Sequence, residues 1–95
     1  MTDDEFEWDD TKAARNFREH GVGFDVAREV FGDPFALDWL DERKDYGEPR
    51  YATVGVAQGR LLYVAYTMRG ERIRIISARG AEPYEQKLYH EENRK

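Results

Sequence analysis

Arginines in the second half of the chain have the spacing expected of an anion-binding surface. The stretch from Arg60 to Arg79 contains five arginines and a single acidic residue. Because side chains two residues apart on a strand share a face, Arg72 and Arg74 would point away from the isoleucines between and after them. Guanidinium groups bind phosphate oxygens bidentately. The spacing therefore predicts either a phosphate-binding face backed by a core or a solvated strand face.

Two more arginines depend on how that strand begins and ends. Arg79 lies five residues after Arg74, an odd spacing that would turn it toward the core in a regular strand. It can join Arg74 only if the strand ends or bulges near Ser77. Arg69 borders the turn before the strand, where most arginines are solvent-exposed.

Lys12 and His20 are candidates from the first half of the chain. They are eight residues apart, which on a helix places them on one face about 12 Å apart. They could flank one substrate, but they could not touch the same oxygen. Histidine suits proton transfer near neutral pH, although His20 is equally explained by a helix C-terminus capped by Gly21. Lys12 in a first turn opposes the helix dipole.

The last predicted helix supplies Glu85 as a substrate-binding residue or a base. The alternative for this helix is a structural role, with Tyr84 and Leu88 directed inward. Trp8 and Trp39 are expected in the core rather than as platforms for base stacking.

Hydrophobic periodicity predicts the elements that must position these residues. An opening strand over 6–8 is followed by helices over 12–20 and 25–31. Strands are predicted over 35–39, 51–56, 61–67 and 72–76, and a last helix over 83–91. This order indicates a single α+β domain over residues 1–95, with an antiparallel sheet, N-terminal helices packed on one face and a C-terminal helix. The open face of the sheet is the expected place for a site.

Composition narrows the function. The 95 residues include no cysteine, and His20 and His90 lie outside any ligand spacing, so we expect neither a metal site nor a cofactor. No apolar run is long enough for a membrane span, and a cytoplasmic location is expected.

The charge is asymmetric along the chain. Residues 1–48 carry fifteen Asp and Glu against six Lys and Arg, whereas residues 49–95 carry five against nine. A focused basic patch on an acidic protein indicates local anion binding rather than a long track along nucleic acid.

Several stretches together resemble the BrnT toxin family over about residues 5–90. The most specific are the final strand with its Arg-Ile-Ile-Ser-Ala-Arg run and a W-D-x-x-K-x-x-x-N-x-x-x-H-G spacing. In chain order, the other stretches are Phe6-Glu7-Trp8-Asp9, Val22 with Phe24, Val30-Phe31-Gly32-Asp33-Pro34, Gly47-Glu48 and Arg50-Tyr51.

This resemblance implies a RelE-like fold and an endoribonuclease toxin that slows growth. It also implies a BrnA-type ribbon-helix-helix antitoxin, a toxin–antitoxin heterotetramer, and operator DNA bound only through the antitoxin. It favours Lys12, His20, Arg74 and Arg79 as catalytic residues, with Arg69, Arg72 and Glu85 as substrate-binding residues. Metal-independent cleavage of this kind leaves a 2′,3′-cyclic phosphate and a 5′-hydroxyl, and it needs proton transfer and positive charge at the phosphorane.

Two alternatives stay open at the level of sequence. Gly80 and Pro83, close to the expected site, suit a catalytically degenerate module that binds its antitoxin and acts mainly as an operon co-repressor. The acidic N-terminal half suits cleavage that occurs only on ribosomes, because it would repel free RNA.

Overall fold

A computed structural model describes residues 1–94. These residues form five strands and three α-helices, together with a 3-10 helix over Arg28–Gly32. In chain order they are β1 (Phe6–Glu7), α1 (Asp10–His20), α2 (Phe24–Ala27), the 3-10 helix, β2 (Leu37–Asp41), β3 (Arg50–Ala57), β4 (Arg60–Arg69), β5 (Arg72–Gly80) and α3 (Pro83–Glu92). The α+β class and the order of elements predicted from the sequence are confirmed. The RelE-like character that the resemblance implies stays a prediction.

The sheet has the strand order β1-β5-β4-β3-β2. β2 to β5 form an antiparallel meander, as expected, but β1 pairs with β5 in parallel, with Phe6 opposite Ile73 and Glu7 opposite Arg74. The sheet is therefore mixed: the predicted antiparallel strands are confirmed, and β1 adds a parallel strand at the edge that the sequence did not predict. The reason is topological: the helices carry the chain away from β1, and the last strand returns beside β1 in the same direction.

α1, α2 and the 3-10 helix cover one face of the sheet, as predicted. Their apolar side chains pack on residues of β4 and β5 that include Leu62, Val64, Ile75 and Ala78. Ala27 and Val30 are fully inaccessible to solvent. This packing fixes which side chains of β4 and β5 face away from the helices.

Asn16 attaches α1 to the free edge of β5. Its amide nitrogen donates to the carbonyl oxygens of Val22 (3.0 Å) and Ala78 (2.9 Å), and its amide oxygen accepts from Ala78 N–H (3.1 Å). The side chain is buried and mimics the edge of a neighbouring strand. α1 is thereby held beside the second half of β5, where β1 no longer pairs.

Replacing Asn16 with alanine is expected to lower the free energy of unfolding by about 3 kcal/mol, because buried backbone groups of β5 and the following loop lose their partners. Alanine is the better helix former, so helix propensity would act in the opposite direction. Urea unfolding of Asn16→Ala measures the change, with the exposed neighbour Arg15→Ala as the matched control. Equal unfolding midpoints for the two variants would contradict this role.

α3 packs on the other face of the sheet, at the end nearest the C-terminus of β5. It begins with a reciprocal capping box between Glu82 and Glu85, and Tyr89 packs on β3 and β4. The Tyr89 hydroxyl donates to Asp33 (2.8 Å), and burial together with that bond raises the pKa of Tyr89 to about 12. Glu85 and Tyr89 face inward whereas Tyr84 and Leu88 are exposed, so the predicted orientation of this helix was wrong by one residue.

Candidate active site

A β-bulge in β5 sets the direction of its arginines. Tyr66 pairs with Ile75 and Ala65 pairs with Ser77, so Ile76 has no opposite residue in β4. The extra residue shifts the alternation, and Arg74 and Arg79 point to the same face despite their odd spacing. Arg79 could join Arg74 only if β5 ended or bulged near Ser77, and the bulge at Ile76 meets this condition. We call this surface the arginine face, the side of the sheet that carries Arg50, Arg69, Arg72, Arg74 and Arg79.

Arg79 is the most tightly held arginine of this face. Its Nη1 lies 2.8 Å from Oε1 of Glu85 and its Nη2 lies 3.0 Å from Oε2, which makes a bidentate pair. The guanidinium also stacks over the ring of Tyr63, 4.1 Å from the centroid, and it keeps about a quarter of its side chain exposed. The Arg79 side chain is thus fixed in one orientation with part of its surface open to solvent.

Glu85 lies behind Arg79 and is only 1% exposed. Besides Arg79 it accepts hydrogen bonds from Glu82 N–H (2.8 Å) and the Tyr84 hydroxyl (3.1 Å). Burial raises the pKa of Glu85, but the bonds from Arg79, Glu82 and Tyr84 outweigh burial and hold the pKa below its usual value. The group is an ionised acceptor whose lone pairs are engaged, which is a poor arrangement for a base.

The remaining predicted arginines of β4 and β5 also have internal partners. Arg74 donates to Glu7 across the β1–β5 pair at 2.6 Å, and both side chains are largely shielded. Arg69 contacts Glu48 at 3.3 Å. The Nε of Arg72 donates to the carbonyl oxygen of Asp3 at 2.7 Å, so Arg72 helps to anchor the N-terminal segment.

Lys12 and His20 lie together along a groove between α1 and the arginine face. We call it the α1 groove; it encloses about 280 Å³ and is lined by Lys12, Arg15, Asn16, Glu19, His20, Arg50, Ile76 and Ser77. The structure therefore brings Lys12 and His20 beside Ser77, two residues before Arg79. Arg74 and Arg79 lie on the adjoining surface rather than in the groove.

Comparison with protein families supplies the decisive observation. The family model described as the ribonuclease toxin BrnT of type II toxin–antitoxin systems matches residues 8–85. This chain belongs to the BrnT toxin family. The match includes every predicted site residue from Lys12 to Glu85 and both elements that bound the α1 groove. No curated protein matches the chain.

Membership of the BrnT family places the chain among ribonuclease toxins whose type II systems include an antitoxin partner. Within residues 1–94 the BrnT chain contains no helix that is long and apolar enough to cross a membrane.

Arg50 lines the α1 groove of this BrnT chain, although the sequence did not single it out as a candidate. It begins β3 and shares the arginine face with Ala52. The Arg50-Tyr51 pair of the family pattern and the alternation of β3 both pointed to this residue. Neither pattern predicts that Arg50 lies beside Ser77 of β5, because that placement depends on the order of the strands in the sheet.

Tyr63 is a second such residue, because its ring supports the guanidinium of Arg79. Burial raises the pKa of the Tyr63 hydroxyl. Its position opposite Arg79 follows from the β4–β5 register after the bulge. A tyrosine inside an apolar strand pattern gives no local sign of that contact.

Proposed function

We propose that this BrnT toxin is a metal-independent endoribonuclease that uses the ribose 2′-hydroxyl as its nucleophile. Attack on the adjacent phosphorus breaks the bond to the 5′-oxygen and leaves a 2′,3′-cyclic phosphate and a 5′-hydroxyl. The observation that carries the proposal is the bulge at Ile76, which turns Arg74 and Arg79 to one face beside the groove that holds Lys12 and His20. Positive charge and a titratable imidazole are then available to one bound strand.

Arg79 and Arg74 stabilise the charge that develops on the phosphorane oxygens. Glu85 acts as a positioning residue, because it fixes the Arg79 fork before substrate arrives and removes the reorganisation that a free arginine would need. Glu7 has the same relation to Arg74. This assignment replaces the earlier expectation that Glu85 contacts substrate, since its carboxylate is buried behind Arg79.

His20 and Lys12 act from α1. The His20 side chain is 40% exposed at the end of the helix and can exchange a proton with a bound 2′-hydroxyl or 5′-oxygen. Lys12 lies two helical turns earlier and holds a phosphate farther along the same strand. Arg69 and Arg72, at the far end of the arginine face, bind flanking phosphates.

The antitoxin partner is proposed to be a BrnA-type ribbon-helix-helix protein in a cytoplasmic heterotetramer that contacts operator DNA only through the antitoxin. An acidic or helical antitoxin segment over the arginine face would exclude RNA by occupying the same guanidinium groups. The partly exposed Arg69, Arg74 and Arg79 support this placement.

Induced expression in a bacterial host tests the proposed function. Wild type is expected to arrest growth and deplete total RNA, and co-expression of the adjacent antitoxin gene or the change Arg79→Ala is expected to relieve both effects. Comparison of naked RNA with translating ribosomes as substrate separates free cleavage from ribosome-dependent cleavage. Normal growth with a folded, abundant wild type would contradict the proposal.

One observation favours a second candidate function, the degenerate antitoxin-binding module. The carboxylates of Glu7 and Glu85 already neutralise Arg74 and Arg79 within the chain, which is an arrangement that a protein without substrate could keep for stability alone. That reading predicts tight antitoxin binding without RNA loss in the same expression experiment.

A further inference from the structure

Two arginines of the arginine face converge on one carboxylate, that of Glu48. Nη2 of Arg69 lies 3.3 Å from Oε1 of Glu48, and Nε of Arg50 lies 3.8 Å from Oε2. Glu48 belongs to the polar segment between β2 and β3, whereas the two arginines lie on β4 and β3. A carboxylate carried by a loop is thus held between two guanidinium groups that belong to the sheet.

Glu48 does not satisfy the hydrogen-bonding capacity of Arg50. Its Nε is buried and, within residues 1–94, has no hydrogen-bond partner, because 3.8 Å is beyond hydrogen-bond distance to Glu48. The guanidinium stacks on the ring of Tyr46, 4.4 Å from its centroid, which fixes its plane. A buried donor without an acceptor is costly and marks a position that a better anion would satisfy.

Both contacts of Glu48 are longer than the contacts by which Glu7 and Glu85 hold their arginines. Glu7 and Glu85 approach their arginines to 2.6 and 2.8 Å, and Glu85 is almost fully buried, whereas about a third of the Glu48 side chain is exposed. An exposed pair with long contacts contributes little to stability. A competing anion can therefore displace Glu48 more easily than it can displace Glu7 or Glu85.

We propose that Arg50 and Arg69 form a subsite for an RNA phosphate that flanks the reacting one, and that Glu48 occupies this subsite until the RNA displaces it. The inference rests on the proposed function and adds a binding residue and an internal competitor to it. Two non-bridging oxygens of one phosphate can bind both guanidinium groups, including the Arg50 Nε that Glu48 leaves without a hydrogen bond. Arg50 also lines the α1 groove beside Lys12 and Ser77, so the subsite is continuous with the proposed path of the strand.

Binding of a 2′-O-methylated RNA oligonucleotide, which cannot be cleaved, tests the subsite. Glu48→Gln is expected to raise affinity about 5-fold relative to Glu42→Gln, a control that removes the same charge from the same loop. Arg50→Ala is expected to lower affinity about 10-fold and to reduce the salt dependence by about one phosphate contact, with Arg18→Ala as its control. A gain of affinity in Glu48→Gln cannot come from misfolding, which keeps the test decisive if Arg50→Ala folds poorly.

Equal affinities for Glu48→Gln and Glu42→Gln would overturn the subsite, and so would unchanged binding by a folded Arg50→Ala. Cleavage of unmodified RNA by the same wild-type preparation reports on the proposed function separately. Cleavage by wild type without a gain of affinity in Glu48→Gln would contradict the subsite alone. A gain of affinity in Glu48→Gln without cleavage by wild type would contradict the proposed reaction and support the subsite. Failure of every variant to bind RNA would overturn both.

Discussion

Arg79→Ala is expected to lower the rate of RNA cleavage by about 100- to 1,000-fold, the usual cost of deleting one donor that stabilises transition-state charge. The bulge at Ile76 directs this side chain toward the site, and Glu85 and Tyr63 hold its guanidinium rigid. Single-turnover cleavage of an RNA oligonucleotide measures the change. Arg79→Lys should recover only part of the rate, because an ammonium group cannot reproduce the bidentate fork.

The control for Arg79 is Arg60→Ala. Arg60 lies in β4 opposite Ala57, a residue of the helix-covered core, and so on the other side of the sheet from Arg79. Its loss should leave cleavage within about 2-fold of wild type, as for most surface substitutions. Equal rates for folded Arg79→Ala and Arg60→Ala would show that the arginine face is not the catalytic surface.

Glu85→Ala is expected to lower the free energy of unfolding by about 3 kcal/mol and to impair cleavage as well. The change leaves Arg79 without its bidentate partner, removes an acceptor from Glu82 N–H, and empties a buried site. This loss of about 3 kcal/mol is at the low end of the range for breaking a buried ion pair, because about a quarter of the Arg79 side chain remains exposed. Urea unfolding gives the value, and the exposed Glu91→Gln serves as control with a change below about 0.5 kcal/mol.

Glu85 also predicts how stability depends on pH. Because the pKa of Glu85 in the folded chain lies below its value in the unfolded chain, its contribution is complete above the unfolded pKa of about 4.5 and is lost as pH falls through the folded pKa. Wild type should therefore lose stability more steeply than Glu85→Gln below about pH 4.5. Parallel acid-unfolding curves for the two proteins would show that Glu85 is not held ionised by Arg79.

Local patterns in the sequence predict most of the helices and strands, but they do not predict which distant elements pair with one another. The alternation of Arg72 and Arg74 with isoleucines predicted β5 and its two faces. The position of Arg79 required a bulge that only the pairing of β5 with β4 defines. Likewise nothing in Phe6-Glu7 predicts that a two-residue strand pairs in parallel with a strand more than sixty residues later.

The orientation of α3 shows the same limit for a helix. A pattern with two apolar residues, Tyr84 and Leu88, predicted their burial, yet the helix turns Glu85 and Tyr89 inward. The ion pair with Arg79 and the hydrogen bond with Asp33 stabilise that rotation, and both partners lie in other elements. Arg50 and Glu48 could not be connected from sequence for a related reason, because their contact depends on where the β2–β3 segment lies on the sheet.

If this BrnT toxin cleaves RNA by itself through the 2′-hydroxyl, cleavage must require that hydroxyl and no added metal ion. Purified wild type is incubated in EDTA with an RNA oligonucleotide and with the same oligonucleotide 2′-O-methylated throughout, and the product ends are identified by mass spectrometry. We expect cleavage of the unmodified RNA alone, with 2′,3′-cyclic phosphate and 5′-hydroxyl ends. Cleavage of the methylated RNA, 3′-hydroxyl ends, or cleavage that appears only when a divalent metal is restored would contradict it.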